Sequence, residues 1–197
     1  MRAPVTEVST PPPALQRERS IATLVVAFAD DPVIRWFLPD APSYLRRFPE
    51  LLDLFAETAL QAGDVDVAGQ DAGAALWHAP DAQLDDKRLV GLMYATVAPE
   101  RRPAAFGMLE QMAEHHPTEP HWYLPFIGVD PTCQGQGHGS RLLEQGLARS
   151  DRDRLPAYLE ASSPRNRALY ERHGFVAFAE LQVADSPPLW PMLRLPA

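Results

Sequence analysis

The chain has 197 residues, of which 46% are hydrophobic, and its formal net charge at pH 7 is -8. This length favours a single domain over residues 1–197, with a core that buries roughly 70% of the surface of the unfolded chain. The acidic charge argues against nucleic acid as a partner, because non-specific binding to phosphates needs a basic face.

Compartment and membrane contact can also be judged from the composition. The chain has one cysteine, Cys133, which excludes an intrachain disulfide and favours a reducing, cytoplasmic location. No apolar run reaches the length of a membrane helix, so we expect no membrane partner. Residues 21–29 imitate a secretory signal with an A-x-A cleavage site. Their apolar positions follow helical spacing, which favours an ordinary amphipathic helix.

The first half of the chain predicts mainly helices. Residues 1–13 are rich in proline and threonine and predict a poorly ordered segment, with at most a short strand at Val5–Ser9. Helices are predicted over Leu15–Ala29, from Pro32 onward, and over Pro49–Ala62, where Gly63 ends the helix. Two apolar runs then predict a β-hairpin, and two helices follow it. The hairpin strands are Asp64–Ala68 and Ala72–His78, and the helices are Leu84–Val97 and Ala104–His116.

From His121 onward the pattern changes to strand, helix, strand, helix, strand, strand. The first three elements imply a parallel crossover, and the last two strands can pair antiparallel. We therefore expect an α+β (mixed α/β) fold with a mixed sheet. Pro125 lies inside a strand without an N–H to donate, which predicts a bulge or a missing partner. The strands are His121–Val129, Ala157–Ala161, Phe175–Val183 and Leu189–Leu195; the helices are Gly139–Arg149 and Pro164–Arg172.

A glycine loop, Gln134-Gly135-Gln136-Gly137-His138-Gly139, joins the first of these strands to its helix. Alternate glycines leave backbone N–H groups unshielded, and the helix adds the positive end of its dipole, which together predict a phosphate cradle. The ending Gly-His-Gly-Ser excludes a P-loop. The spacing also departs from the dinucleotide fingerprint, although Glu160 lies where a ribose-binding acid would be expected. From the loop alone, a glycine-rich turn that binds no ligand remains an alternative interpretation.

A second segment, Ser163 to Phe175, has the marks of a short helix with one functional face. Ser163 is a candidate N-cap followed by a first-turn proline, and Gly174 predicts the end of the helix. Asn166 and Tyr170 are four residues apart, so their side chains share a helix face.

Together these two segments resemble the GCN5-related N-acetyltransferases (GNAT). The loop is similar to the Q/R-x-x-G-x-G/A acetyl-CoA loop of that family, and the helix leading into Gly174-Phe175 is similar to its second signature. Within the family, residues 119–124, 158–162, 170–175 and 189–192 look like puromycin N-acetyltransferase-like members. The resemblance implies a GNAT-like sheet, mixed but mostly antiparallel, with splayed central parallel strands and flanking helices.

The resemblance implies acetyl-CoA as the co-substrate and no metal. The pyrophosphate would lie on the loop, and the pantetheine arm along the strand that precedes it, where Gly128 would let the ligand approach the backbone. Asn166 would bond the pantetheine arm, whereas Arg172 would meet a CoA phosphate or simply be solvated. The implied contacts are Ile127, Gly128, Val129, Gln134, Gly135, Gln136, Gly137, His138, Gly139, Ser140, Asn166 and Arg172.

Two residues are implied for catalysis. Tyr170 would protonate the departing thiolate, since the two pKa values are close enough to share a proton; the alternative is a packed tyrosine. Glu160 would be a general base or bind the amine, and the alternative is a salt bridge to Arg165 or Arg167. Water could also carry the proton, and an acetyl-cysteine route through Cys133 lacks a nearby base.

The acceptor is expected to be a small-molecule amine, such as an antibiotic-like compound or an aminonucleoside, that receives the acetyl group by direct transfer. Alternatives are a non-catalytic acyl-CoA-binding or sensor module and a protein or peptide N-acetyltransferase. A monomer or a homodimer is expected. The adjacent His115 and His116 diverge on a helix, which predicts a solvated helix end rather than a metal site. Candidates for an apolar acceptor pocket are Trp122, Tyr123, Phe126, Trp190 and Trp36.

Overall fold

The computed structural model describes residues 13–62, 64–69 and 71–197. The predicted strand at Val5–Ser9 and the predicted helix stop at Gly63 lie outside these residues. The helices are α1 (Pro13–Ala27), α2 (Pro32–Phe37), α3 (Ala41–Ala62), α4 (Asp86–Thr96), α5 (Arg102–His115), α6 (His138–Asp153) and α7 (Pro164–Arg172). The strands are β1 (Val65–Ala68), β2 (Gly73–His78), β3 (Trp122–Val129), β4 (Ala157–Ala161), β5 (Val176–Ala177) and β6 (Trp190–Arg194).

The strands form one six-stranded sheet in the order β1-β2-β3-β4-β6-β5. Every neighbouring pair is antiparallel except β3 and β4, which are parallel. These two strands pair only at Trp122 with Ala157 and at Tyr123 with Tyr158, and beyond that point they separate. The predicted mixed, mostly antiparallel sheet with splayed central parallel strands is therefore confirmed.

The predicted irregularity at Pro125 is a β-bulge. Leu76 of β2 lies opposite Phe126, whereas His78 lies opposite Tyr123. Three residue steps on β3 thus match two steps on β2, and the extra residue falls in the stretch that contains the proline. The bulge shifts the alternation of side chains, so that Tyr123 and Phe126 lie on the same face of the sheet although they are three residues apart.

Helices cover both faces of the sheet. On one face α6 packs against β1, β2 and β3, and Leu142 and Leu143 belong to a buried cluster with Trp77 and Leu159. On the other face α1 and α3 pack through a second cluster that contains Leu24, Leu52, Leu76 and Phe126. A third cluster joins α2, α4 and α5 to residues 181–189. None of the described helices has both the length and the apolarity that a membrane span requires.

Two predicted boundaries were wrong. Helix α3 begins at Ala41 rather than at Pro49, which lies inside the helix. The proline removes only the hydrogen bond to the carbonyl of Leu45, and water can replace it because Leu45 is 64% exposed.

The strand predicted over Phe175–Val183 is limited to Val176–Ala177, followed by an isolated bridge between Leu181 and Leu189. The N–H of Phe178 still donates to the carbonyl of Pro191. Since Pro191 has no N–H to donate in return, the ladder is interrupted at that pair.

Candidate active site

A cleft of about 390 Å³ opens where β3 and β4 separate. Almost all the predicted cofactor residues line it, and the exception is Gln136, which is exposed in the loop. Cys133 and Arg165 also line the cleft, although neither was predicted from the sequence to contact acetyl-CoA. The predicted residues in the lining are Ile127, Gly128, Val129, Gln134, Gly135, Gly137, His138, Gly139, Ser140, Asn166 and Arg172.

The glycine loop at the end of this cleft fits a phosphate group. Gly135 and Gly137 have φ values of 76° and 82°, and a Cβ added to either would meet open space. Helix α6 begins directly after Gly137, and no side chain caps its first turn. The first N–H groups of the helix are therefore free to bind an anion, which the positive end of the dipole also favours.

The wall of the cleft is a strand edge. Ile127, Gly128 and Val129 pair with β2 on one side, but β4 has separated from them on the other side. An extended amide-containing chain can pair with such an edge as an added strand would. The predicted reason for the glycine was incomplete: a Cβ at Gly128 would lie 2.6 Å from the Cβ of Ala27, so the close packing of α1 also requires glycine there.

Helix α7 presents Asn166 and Tyr170 to the cleft. The hydroxyl of Ser163 accepts a hydrogen bond from the N–H of Asn166 at 3.2 Å, which confirms the predicted N-cap. Tyr170 is only 6% exposed. Burial, and to a lesser degree the nearby carboxylate of Asp31, raises the pKa of the Tyr170 phenol, so the hydroxyl is a proton donor at neutral pH.

A second cavity of about 740 Å³ lies on the other side of Tyr170 and contains the Glu160 carboxyl. Oε2 of Glu160 accepts a hydrogen bond from the Tyr123 hydroxyl at 3.1 Å, and Oε1 accepts one from the Tyr158 hydroxyl at 3.0 Å. Burial raises the pKa of Glu160 to about 7, although both hydrogen bonds act in the opposite direction. A carboxyl with such a pKa can accept a proton near neutral pH.

The alternative prediction for Glu160, a salt bridge to Arg165 or Arg167, was wrong. Arg167 pairs with Glu171 at 2.8 Å, and in the described part of the chain the recorded partners of the Glu160 carboxyl are tyrosine hydroxyls. An acidic group that is held by neutral donors keeps its capacity to exchange a proton, since no fixed cation lowers its pKa.

The cleft and the larger cavity share part of their lining, which shows where the two spaces meet. The shared residues are Phe28, Asp31, Ile127, Asn166 and Tyr170. A group bound along β3 and a second group bound beside Glu160 would therefore approach each other next to Tyr170.

Of the predicted pocket aromatics, Tyr123 and Phe126 line the larger cavity, whereas Trp122 and Trp190 do not. Trp122 is 5% and Trp190 is 7% exposed, and both lie in the core beneath α6 and α7. Their indoles donate to Asp153 and Glu180, at 3.1 and 2.9 Å. Neighbouring strand residues face opposite sides of the sheet, so the cavity receives Tyr123 and not Trp122. Trp36 is likewise in the third core cluster.

Sequence reasoning missed Asp31 and Ser162. Asp31 caps α2, and its second carboxylate oxygen accepts from the Ser162 hydroxyl, which in turn is 3.4 Å from the Asn166 amide nitrogen. This network lies where the two spaces meet. Asp31-Pro32 predicted a helix start, but the Ser162 hydroxyl that donates to Asp31 is 131 positions away in sequence.

The prediction of a solvated helix end was wrong for His116. Its ring lies against Tyr123 and Tyr158, with centroids 4.8 Å from each, and it lines the larger cavity. Nε2 of His116 is 3.1 Å from Nε2 of His121. Burial lowers the pKa of His116 to about 4, so this ring is neutral at neutral pH. Within the described residues no group of three or more His, Cys, Asp or Glu side chains could hold a metal ion.

Several known proteins are similar to this chain in sequence or in fold. A curated relative from Schizosaccharomyces pombe, an uncharacterized N-acetyltransferase, is 28% identical over 91% of this chain and 79% of its own length. A solved structure from Corynebacterium glutamicum, described as histone acetyltransferase HPA2 and related acetyltransferase, is 30% identical with a TM-score of 0.69, covering 99% of this chain and 95% of that one.

Arylalkylamine N-acetyltransferase 2 from Aedes aegypti shares the fold at 15% identity, with a TM-score of 0.67 and coverage of 92% of this chain and 95% of that one. The sequence profile of the Acetyltransferase (GNAT) family matches residues 35–175. That span is more than half of the chain, and the protein therefore belongs to the GNAT family of acetyltransferases.

Proposed function

We propose that the protein transfers the acetyl group of acetyl-CoA directly to the amine of a small molecule, such as an antibiotic-like compound or an aminonucleoside. The observation that carries this proposal is the meeting of the β3 cleft with the Glu160 cavity beside Tyr170. Family membership supports the acetyl transfer itself. The choice of a small amine rests on the second cavity.

The residues of the cleft suit the parts of acetyl-CoA, which would supply the thioester. The free N–H groups at the start of α6 would hold the pyrophosphate. The open edge of β3 from Ile127 to Val129 would pair with the amides of the pantetheine arm. Arg165 and Arg172 line the cleft near the loop and would offer positive charge to phosphates. This assignment adds Arg165 to the residues predicted from the sequence.

In the reaction, Glu160 would take a proton from the bound ammonium group, and the neutral amine would attack the thioester carbonyl. A backbone N–H on the free edge of β3 would donate to the oxyanion. As the carbon–nitrogen bond forms and the carbon–sulfur bond breaks, the Tyr170 hydroxyl would give its proton to the departing sulfur. The second proton of the amine, which the new amide nitrogen must lose, would restore the Tyr170 hydroxyl through water, and Glu160 would release its own proton to solvent. The raised pKa keeps the proton on Tyr170 at neutral pH but also makes the phenol a weaker acid than a thiol, so the transfer would depend on the negative charge that develops on the sulfur.

A peptide amine is the second candidate acceptor, because the Corynebacterium glutamicum relative is described as histone acetyltransferase-related. A non-catalytic acyl-CoA sensor is disfavoured by the position of two proton-exchanging groups, Tyr170 and Glu160, around the same space.

The test is thiol release from acetyl-CoA across a panel of small amines, an aminonucleoside and lysine-containing peptides. We expect turnover with small amines. No release with any amine, despite tight acetyl-CoA binding, would refute catalysis and favour the sensor.

In the same assay, Tyr170→Phe should lower kcat by roughly a hundredfold or more while the Kd for acetyl-CoA stays within about twofold. The variant keeps the packing of the ring and removes only the hydroxyl. An equal loss of affinity and turnover would remove Tyr170 from the acid role.

A further inference from the structure

The walls of the larger cavity are mainly apolar. Helix α3 contributes Leu51 and Phe55 to one side, and α4 and α5 contribute Leu89 and Met112 to the other. Phe37 of α2 closes part of the same wall. Binding an apolar ligand against such a surface is favourable because apolar area is removed from water. A ligand with many polar atoms would lose hydrogen bonds to water without replacement.

A hydrogen-bonded group of polar side chains in this cavity reaches the cleft. Asp31 and Asn166 line both spaces, Ser162 contacts both of them, and the Glu160 carboxyl accepts from Tyr123 in the same cavity. A ligand that reacts there must therefore place its polar, reacting group beside Glu160 and its remaining atoms among the apolar walls.

The charges in the lining favour a cation. Asp31, Asp86 and Glu160 are acidic, and the one arginine among the described lining residues, Arg47, already pairs with Glu50 at 2.9 Å. The two histidines of the lining are His78 and His116. Burial lowers the pKa of both, so neither adds positive charge at neutral pH. An acidic group on the acceptor would find no free cation there.

We infer that the acceptor is a lipophilic amine, with one amino group on an extended, uncharged apolar body. This inference rests on the proposed acetylation of a small amine and narrows its substrate class. The cavity volume of about 740 Å³ lies in the range that holds drug-sized ligands, roughly 300–1,000 Å³. A lysine-containing peptide fits less well, since its backbone amides would face apolar walls.

The experiment measures kcat/KM for straight-chain primary amines from propylamine to octylamine at saturating acetyl-CoA. Each added methylene should raise kcat/KM about fourfold until the cavity is full, which is the effect of about 0.8 kcal/mol for a buried methylene. Amines of equal length that end in a carboxylate should lose this gain. A flat series, or a preference for lysine peptides over octylamine, would overturn the inference while leaving acetyl transfer intact.

A matched pair of variants locates the effect. Leu89→Gln puts a polar group into the cavity wall and should reduce the gain per methylene, whereas Leu45→Gln makes the same change at a residue outside the lining that is 64% exposed and should not. If Leu89→Gln fails to fold, Met112→Gln tests the same wall. Equal slopes in the wall variant and the control would contradict the assignment of this cavity to the acceptor.

Direct binding separates this inference from the proposed function. Calorimetric titration of octylamine and propylamine into the protein saturated with CoA requires no turnover. Tighter binding of octylamine without any thiol release would retain the lipophilic site and refute the transferase. Thiol release with equal affinity for both amines would retain the transferase and refute the lipophilic site.

Discussion

Replacing Glu160 by glutamine should change how stability depends on pH. The half-buried carboxyl accepts hydrogen bonds from Tyr123 and Tyr158, and its removal from bulk water raises its pKa from 4.5 to about 7 in the folded protein. The ionised form is therefore disfavoured by folding, and the wild-type protein loses stability as the pH rises from the unfolded pKa towards the folded one. Glutamine has no charge in either state and avoids this loss.

The size of the effect follows from the shift itself. A rise from 4.5 to about 7 corresponds to about 3 kcal/mol at about 1.36 kcal/mol per pKa unit. The stability of Glu160→Gln relative to wild type should therefore increase by up to about 3 kcal/mol between pH 4.5 and pH 7 and then level off. Altered hydrogen bonds to the two tyrosines add an offset of about 1 kcal/mol that does not depend on pH.

The assay is urea unfolding of both proteins in a buffer series across this pH range, with the difference between them plotted against pH. Contributions of other titrating groups cancel in the difference. A difference that stays constant would mean that the carboxyl keeps an ordinary pKa in the fold. A difference that falls with rising pH would mean that the fold stabilises the carboxylate, which is the opposite of the reasoning above.

Two further changes test the core and the electrostatics of the site. A Cβ at Gly146 would overlap the indole of Trp77, so Gly146→Ala should lower the free energy of unfolding by about 1–3 kcal/mol in urea titrations. The control is Gly91→Ala, whose Cβ would have nothing within 4 Å and which should raise the free energy of unfolding by about 0.5–1 kcal/mol. Equal effects of the two substitutions would contradict the packing at Gly146. Because the Tyr123 hydroxyl lowers the pKa of Glu160, Tyr123→Phe should shift the acidic limb of the pH profile of kcat/KM to higher pH. If the limb does not move, it does not report the ionisation of Glu160.

Local chemistry made the motif helix and the loop predictable. Ser163 caps α7 and the helix covers Pro164–Arg172, as predicted, because a cap, a first-turn proline and a terminal glycine act within a few residues. Gly135 and Gly137 have positive φ for an equally local reason. The position of Pro125 predicted the bulge, since the missing N–H is a property of the residue itself.

The acceptor side could not be predicted in the same way. The sequence proposed Trp122 and Trp190 for the pocket, yet both are in the core, because the phase of each strand and the shift at the bulge decide which face a side chain takes. His116 was expected in solvent and instead lies against two tyrosines. Its position depends on the end of α5 lying beside Tyr123 and Tyr158 in the folded chain, which residues near His116 in the sequence do not determine.

By itself the sequence determined the glycine loop and the Asn166–Tyr170 face, since these follow from short-range backbone preferences, and its resemblance to a known family implied the splayed mixed sheet. Only the tertiary structure decided that Tyr123, Tyr158 and Glu160 share a cavity, and that Asp31 reaches Ser162 across 131 positions. The physical reason is that a pKa depends on burial and on neighbours in space, and both arise only when distant segments pack together.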